Sequence, residues 1–164
     1  MAAEKNSIRL LVDTNIWIDN YLCHRPGYES ACKFIYEATQ RTIALTYPST
    51  SAKDVYYAVC TGLKQTIRSE KGSLTETDAL ACNEIAWGCI QNMMNIATAA
   101  PISEAEMWLA CRYKKLHSDF EDDLVLASAE TSKATYLVTS DKKLLGKSPL
   151  PAFTPDDMLT FLKR

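Results

Sequence analysis

Four short runs rich in Ile, Leu and Val punctuate the chain: "IRLLV" at 8–12, "TIALT" at 42–46, "NIAT" at 95–98 and "YLVT" at 136–139. Each is brief, bounded by polar or turn residues and apolar without strict alternation, as strands covered on both faces are. Between them the apolar positions change to helical spacing. Ala31, Phe34, Ile35 and Ala38 form a stripe in "YESACKFIYEATQ", which follows a turn at Pro26-Gly27. After Pro48, Ser49 and Thr50, Val55, Val59 and Leu63 recur at four-residue intervals. "KGSLTETD" breaks that pattern, and a further helix runs through Ile85, Cys89 and Met93. Near the end, Thr154 before Pro155, Asp156 and Asp157 predicts an N-cap, a Pro in the first turn and acids at the positive end of a last helix, "DDMLTFLKR". Strands alternating with helices predict an α/β chain, three layers α/β/α around a central, mainly parallel sheet of about four to five strands. Two helices with no strand between them, at about 50–93, predict a helical hairpin standing off the sheet, where a partner or substrate can dock. No repeat, low-complexity tract or long linker divides the 164 residues, so one domain over 1–164 is expected.

The pattern breaks where acids meet strand ends. In "LLVDTNIWID" the strand runs into Asp13, and "YLVTS" is followed at once by Asp141. In open parallel sheets, ligand sites lie outside the carboxyl ends of the strands, so these two acids can face one crevice. "HSDFEDDLVLASAE" (117–130) adds Asp119 and Asp122, three apart and hence on one face of a first helical turn. Asp54, in "PSTSAKDVYYAV", sits near the start of the helix after the second strand. Each has an ordinary structural explanation. Asp13 and Asp141 suit helix N-caps, Asp54 and Asp122 favour a helix dipole, and Ser118 with Glu121 fits a capping box. Gathered at one sheet end, however, carboxylates repel each other unless a cation neutralises them. Oxygen-only ligands suit Mg²⁺ or Mn²⁺, which promote hydrolysis of phosphodiesters.

Composition narrows the alternatives. Six cysteines without a C-x-x-C pair and only two histidines argue against zinc, and the cysteines, mostly in apolar helical stretches, are expected to be small core residues. No apolar run approaches the ~20 residues of a membrane span, and "MAAEKNSIRLLVD" does not read as a secretory signal, so a cytoplasmic protein without a membrane partner is expected. The formal net charge of −2 does not decide for or against nucleic acid, since setting four site carboxylates aside leaves +2 on the remainder.

With a strand ending in "VDTNIWID", the segment "DFEDDLVLASAE", a strand running into "YLVTSD" and the closing "FTPDDMLTFL", the chain resembles PIN domains of the VapC-like toxin type over nearly its full length. The resemblance implies a small α/β/α fold, a Mg²⁺- or Mn²⁺-dependent ribonuclease, a cognate antitoxin and a homodimer. It implies Asp13, Asp122 and Asp141 as metal ligands, Asn15 and Thr139 as supporting groups, and Asp119 at a position where many relatives carry an additional acid. The departure is Asp54, where relatives usually carry Glu; one methylene shorter, it would complete the pocket through water. Asp123, where a small residue is common, is expected to face solvent or a partner, and Asp19 to be solvated or at the rim.

Acids cannot hold a polyanion, so cations on the rim must. Candidates are Lys53, Lys142 and Lys143 near strand ends, and Lys64, Arg68 and Lys71 on one helix face, a stripe that also suits a solvated surface. Trp17, Tyr21, Tyr56 and Tyr57 suit base stacking or, equally, packing; His24 and His117 are read as non-catalytic. Two other classes remain open at this stage. A catalytically weak or inactive PIN-like binding module is favoured by Asp54 in place of Glu. An Asp-based phosphotransfer or phosphatase domain would form an acyl phosphate on Asp13, but haloacid dehalogenase-like enzymes place a second Asp where this chain has Asn15.

Overall fold

A computed structural model of the chain describes residues 8–115 and 119–163. Five strands, β1 (Arg9–Val12), β2 (Ala44–Pro48), β3 (Thr98–Ala100), β4 (Tyr136–Val138) and β5 (Ala152–Phe153), form one sheet in the order β3-β2-β1-β4-β5 with every pairing parallel. Eight helices connect and cover them among the described residues: α1 (Thr14–Tyr21), α2 (Tyr28–Gln40), α3 (Ser49–Lys71), α4 (Glu76–Ile96), α5 (Glu104–Tyr113), α6 (Phe120–Thr131), α7 (Lys142–Lys147) and α8 (Pro155–Leu162).

The strand period of two sorts the core into two halves. Leu10 and Val12 of β1 point into the larger cluster, with Trp17, Phe34, Val55, Ile90 and Met158 from α1, α2, α3, α4 and α8. Leu11, between them, points the other way, into a cluster with Val125, Leu126, Leu137 and Leu144 from α6, β4 and α7. The three-layer α/β/α arrangement expected from the sequence is therefore the one observed.

Several boundaries differ from the expected ones for identifiable reasons. α4 runs through Asn95 and Ile96, so β3 starts only at Thr98. β2 begins two residues late and extends to Pro48, from which α3 starts at once. β5 has only two residues and no apolar run to announce it. The α3–α4 hairpin forms, with Gly72 in the left-handed region (φ 77°) closing α3 and a Thr75/Asp78 capping box opening α4. It does not stand off the sheet: Val55, Val59, Cys60, Ala86, Ile90 and Met93 belong to the larger core cluster. Its outer face carries the exposed Tyr57, Leu80, Ile85 and Trp87. Of the cysteines only Cys60 and Cys82 are buried, whereas Cys23 and Cys111 are exposed. Among the described residues, no helix is long and apolar enough to cross a membrane.

Candidate functional site

The chain leaves β1 for β2 on one side and later fills β4 and β5 on the other, so the strand order reverses between β1 and β4. A crevice opens at the carboxyl ends of the strands at such a switch point. Register then decides which residues meet there. Val12 pairs with Val138, which sets Asp13 level with Thr139, one residue beyond each strand. The Asp13 N–H donates to the Val138 carbonyl at 2.9 Å, and Thr139 Oγ1 donates to Asp13 Oδ2 at 2.7 Å.

Asp13 is the N-cap of α1, its Oδ1 accepting the Thr14 N–H at 2.7 Å. Asn15 Nδ2 donates to Oδ2 at 2.9 Å, so both oxygens of a buried carboxylate are held. Thr139 is itself fully buried and accepts the Asp141 N–H at 3.0 Å, linking the two strand-end acids. Asp141 caps α7 through Oδ1, which accepts from Lys143 N and Leu144 N. Burial pushes the Asp13 pKa up to about 6, against the pull of the Thr139 and Thr14 hydrogen bonds, and the charges of Asp122 and Asp141 add to the rise. A cation among these carboxylates would relieve both effects.

The cleft they share has a volume of about 230 Å³ and is lined by Asp13, Thr14, Asn15, Ile18, Arg25, Glu121, Asp122, Val125 and Asp141. A larger cavity of about 480 Å³ lies beside β2 and β3, and among the described residues Arg9 is the only ionisable side chain lining it. Among the described residues, no three carboxylate, imidazole or thiol groups stand close enough to enclose a metal by themselves. Mg²⁺ rarely needs such a cage, since it commonly takes one or two carboxylates and keeps its remaining waters. The carboxylates of Asp13, Glu121, Asp122 and Asp141 are oxygen donors that fit that mode of binding.

Asp13, Asn15, Asp122 and Asp141 thus meet in one cleft, with Thr139 behind them. Asp54 does not line it: its side chain lies 3.1 Å from Lys53 Nζ, and the α3 residue that reaches the β1 end is Ser51, whose hydroxyl is 2.7 Å from Thr14 Oγ1. Asp119 is exposed and caps α6 by accepting the Glu121 N–H at 2.9 Å. The expected Ser118 half of the capping box, and His117, lie outside the described residues.

Two acids are corrected. Asp19 is buried rather than solvated, ion-paired with Arg25 Nε. Asp123 is also buried, because α6 packs against both α5 and the sheet and turns most of its circumference inward. The rim cations are dispersed. Lys64 Nζ bonds Asn83 and Lys71 pairs with Asp78, both tying α3 to α4. Arg68, Lys142 and Lys143 are exposed, the last two in the first turn of α7. Trp17 is core; Tyr21 bonds Asn92; Tyr56 packs on Tyr57 and Trp87. Glu121 and Arg25 were not expected at the cleft. Position alone signalled Glu121, one residue before Asp122, whereas no local pattern marks Arg25.

Thr139→Val keeps the shape but removes the hydroxyl that serves Asp13 and Asp141. The expected cost is about 1–3 kcal/mol of stability, measured by denaturant unfolding of the metal-free protein; an unchanged midpoint would show that the hydroxyl does not hold the acids.

A family model described as PIN domain matches residues 9–143. Comparison with curated proteins returns no match. Among solved structures, the chain is similar to a crystal structure of VapBC2 from Rickettsia felis bound to a DNA fragment from their promoter, with a TM-score of 0.60, 13% identity, and coverage of 90% of this chain and 98% of that one. At that identity the likeness is one of fold, and it spans nearly all of both chains. The matched segment runs from β1 through Asp13, Asp122 and Asp141 and takes in most of the chain: the protein belongs to the PIN-domain family.

Proposed function

We propose that the protein is a Mg²⁺- or Mn²⁺-dependent endoribonuclease, the toxin of a toxin–antitoxin pair. The observation that carries this reading is the shared cleft in which Asp13, buried and pushed up to a pKa of about 6, faces Asp122 and Asp141. Family membership supports a nuclease, since PIN domains in general are nucleases. In this reading Asp13, Asp122 and Asp141 hold the ion, and Glu121 takes the place at the cleft that Asp54 does not occupy. The ion would polarise the phosphoryl group and supply a hydrolytic nucleophile at neutral pH. The protein's part is to fix its ligands. Thr139 and Asn15 clamp Asp13 Oδ2, while the α7 amides hold Asp141 through its Oδ1.

The phosphotransfer alternative fits less well. Haloacid dehalogenase-like enzymes place a second acid two residues after the nucleophile, and here that position is Asn15, which donates to Asp13 Oδ2 at 2.9 Å. For partners, the similarity to a VapBC assembly supports a cognate antitoxin, and the exposed Tyr57, Leu80 and Trp87 offer apolar surface to it or to a second copy of the chain.

The test is a panel of structured and unstructured RNAs incubated with Mn²⁺ or with chelator. Internal cleavage with Mn²⁺, none with chelator, and ends free of 2′,3′-cyclic phosphate are expected, because water rather than the ribose hydroxyl attacks. Cleavage that persists in chelator, or no cleavage of any RNA, would overturn the reading.

A further inference from the structure

Arg25 is the only cation among the described residues lining the acidic cleft, and its position is enforced by two other residues. Its Nε donates to Asp19 Oδ1, and Asp19 is 5% exposed. The terminal guanidinium nitrogens make no hydrogen bond to a described residue, and 39% of the side chain remains open to solvent. Gly27 completes the arrangement: a Cβ built there would fall on the Asp19 carboxylate, so only glycine lets the α1–α2 turn close over that acid. The turn is drawn together by Arg25 N–H to the Leu22 carbonyl at 3.0 Å and Tyr28 N–H to the Arg25 carbonyl at 3.1 Å.

A buried carboxylate paired with a half-open arginine is an expensive way to build a turn, because the acid must be desolvated before the pair returns anything. The arrangement does have one product. It fixes a guanidinium fork by its Nε edge at a cleft whose other charged groups, among the described residues, are all acids. Such a fork matches two oxygens of one phosphate, and a fork already fixed loses less side-chain entropy on binding. We propose that Arg25, positioned by Asp19 and Gly27, is the phosphate-binding residue of the cleft, gripping a backbone phosphate of RNA beside the one that faces Asp13, Asp122 and Asp141. The proposal rests on the nuclease reading and supplies what that reading lacks, a counter-charge that brings a polyanion to a ring of carboxylates.

The test uses the full chain and a short fluorescent RNA, with binding followed by anisotropy in chelator so that no cleavage intervenes. Removing Arg25 alone strands a buried carboxylate, so the informative variant is the neutral pair Asp19→Asn with Arg25→Gln. It is expected to bind about 10-fold more weakly, as one charge-assisted contact implies, with a salt dependence shallower by about 0.7 in log–log slope. Unchanged affinity overturns the proposal, and so does weaker binding at an unchanged slope. Should the neutral pair fail to fold, Arg25→Lys keeps the charge beside Asp19 but cannot present a fork. It is expected to raise KM several-fold in the Mn²⁺-supported reaction with kcat little changed, and a wild-type KM overturns the proposal. Wild type that cleaves RNA while the variants match it in KM and affinity sinks the role of Arg25 alone. Wild type that neither binds nor cleaves RNA sinks the nuclease reading, and this proposal with it.

Discussion

Asp122→Asn is expected to lower Mn²⁺-supported RNA cleavage by about 10³-fold while leaving the fold intact. The magnitude follows from the several kcal/mol that a bound divalent ion contributes to phosphoryl transfer, at about 1.4 kcal/mol per tenfold in rate. Asp122 lies in the first turn of α6, half-buried at the cleft wall, and its charge is felt by Asp13. Its amide keeps the volume and polarity of the side chain but removes the charge that attracts a cation. The loss should appear in kcat and in the Mn²⁺ concentration needed for half-maximal rate, and excess Mn²⁺ should restore part of it. Asp54→Asn provides the contrast. That side chain lies against Lys53 and outside the cleft, so a rate within a few-fold of wild type is expected. Equal losses in both variants would mean that Asp54 reaches the site after all, and full activity of Asp122→Asn would remove the metal mechanism.

What the chain reveals by pattern and what it conceals divide along a physical line. Asp13 and Asp141 were legible because their placement depends on short-range facts: a strand ends, an acid follows, and parallel register sets neighbouring strand ends level, whereas Asn15 and Thr139 were marked only by the resemblance to PIN domains. α2 and α8 were legible for the same reason, their stripes and caps lying within a dozen residues. Asp19, Arg25 and Gly27 were not. Their relation exists only once α1 and α2 pack together and the turn between them closes over a carboxylate. In sequence Asp19 reads as a solvated or rim acid and Gly27 as part of a turn, and nothing marks Arg25. Asp123 misled for a related reason: a helix packed between the sheet and α5 loses its polar face, and one more acid in an acidic first turn gives no sign of it. Asp54 stood at a suggestive distance from a strand, but Ser51 is the α3 side chain that contacts Thr14 beside Asp13.

The same buried carboxylate that organises the cleft should make the metal-free protein less stable at neutral pH than in mild acid. Asp13 has a folded-state pKa of about 6, above its ordinary 3.8, so between these values the folded chain holds a proton that the unfolded chain has released. Stability from this group is fully present below about pH 4 and is lost as the pH rises through 6. The shift of about two units corresponds to about 3 kcal/mol, or roughly 6–12 °C in melting temperature for a chain of this size. Asp78 and Glu106, whose pKa values are drawn down to about 2 by hydrogen bonds to Lys71 and Ser103 respectively, act in the opposite sense: their contribution is lost as the pH falls from about 4 towards 2. Among the described groups with a resolved shift, Asp13 is the one that changes charge between about pH 4.5 and 7. In chelator, the melting temperature of wild type should fall across that window, and that of Asp13→Asn should stay nearly flat. Mn²⁺ requires the ionised carboxylate, so it should stabilise wild type more at about pH 7.5 than at about pH 5. A metal-free melting temperature that rises from mild acid to neutrality, or a slope shared by Asp13→Asn, would show that Asp13 is not held in the buried environment on which its proposed role as a metal ligand rests.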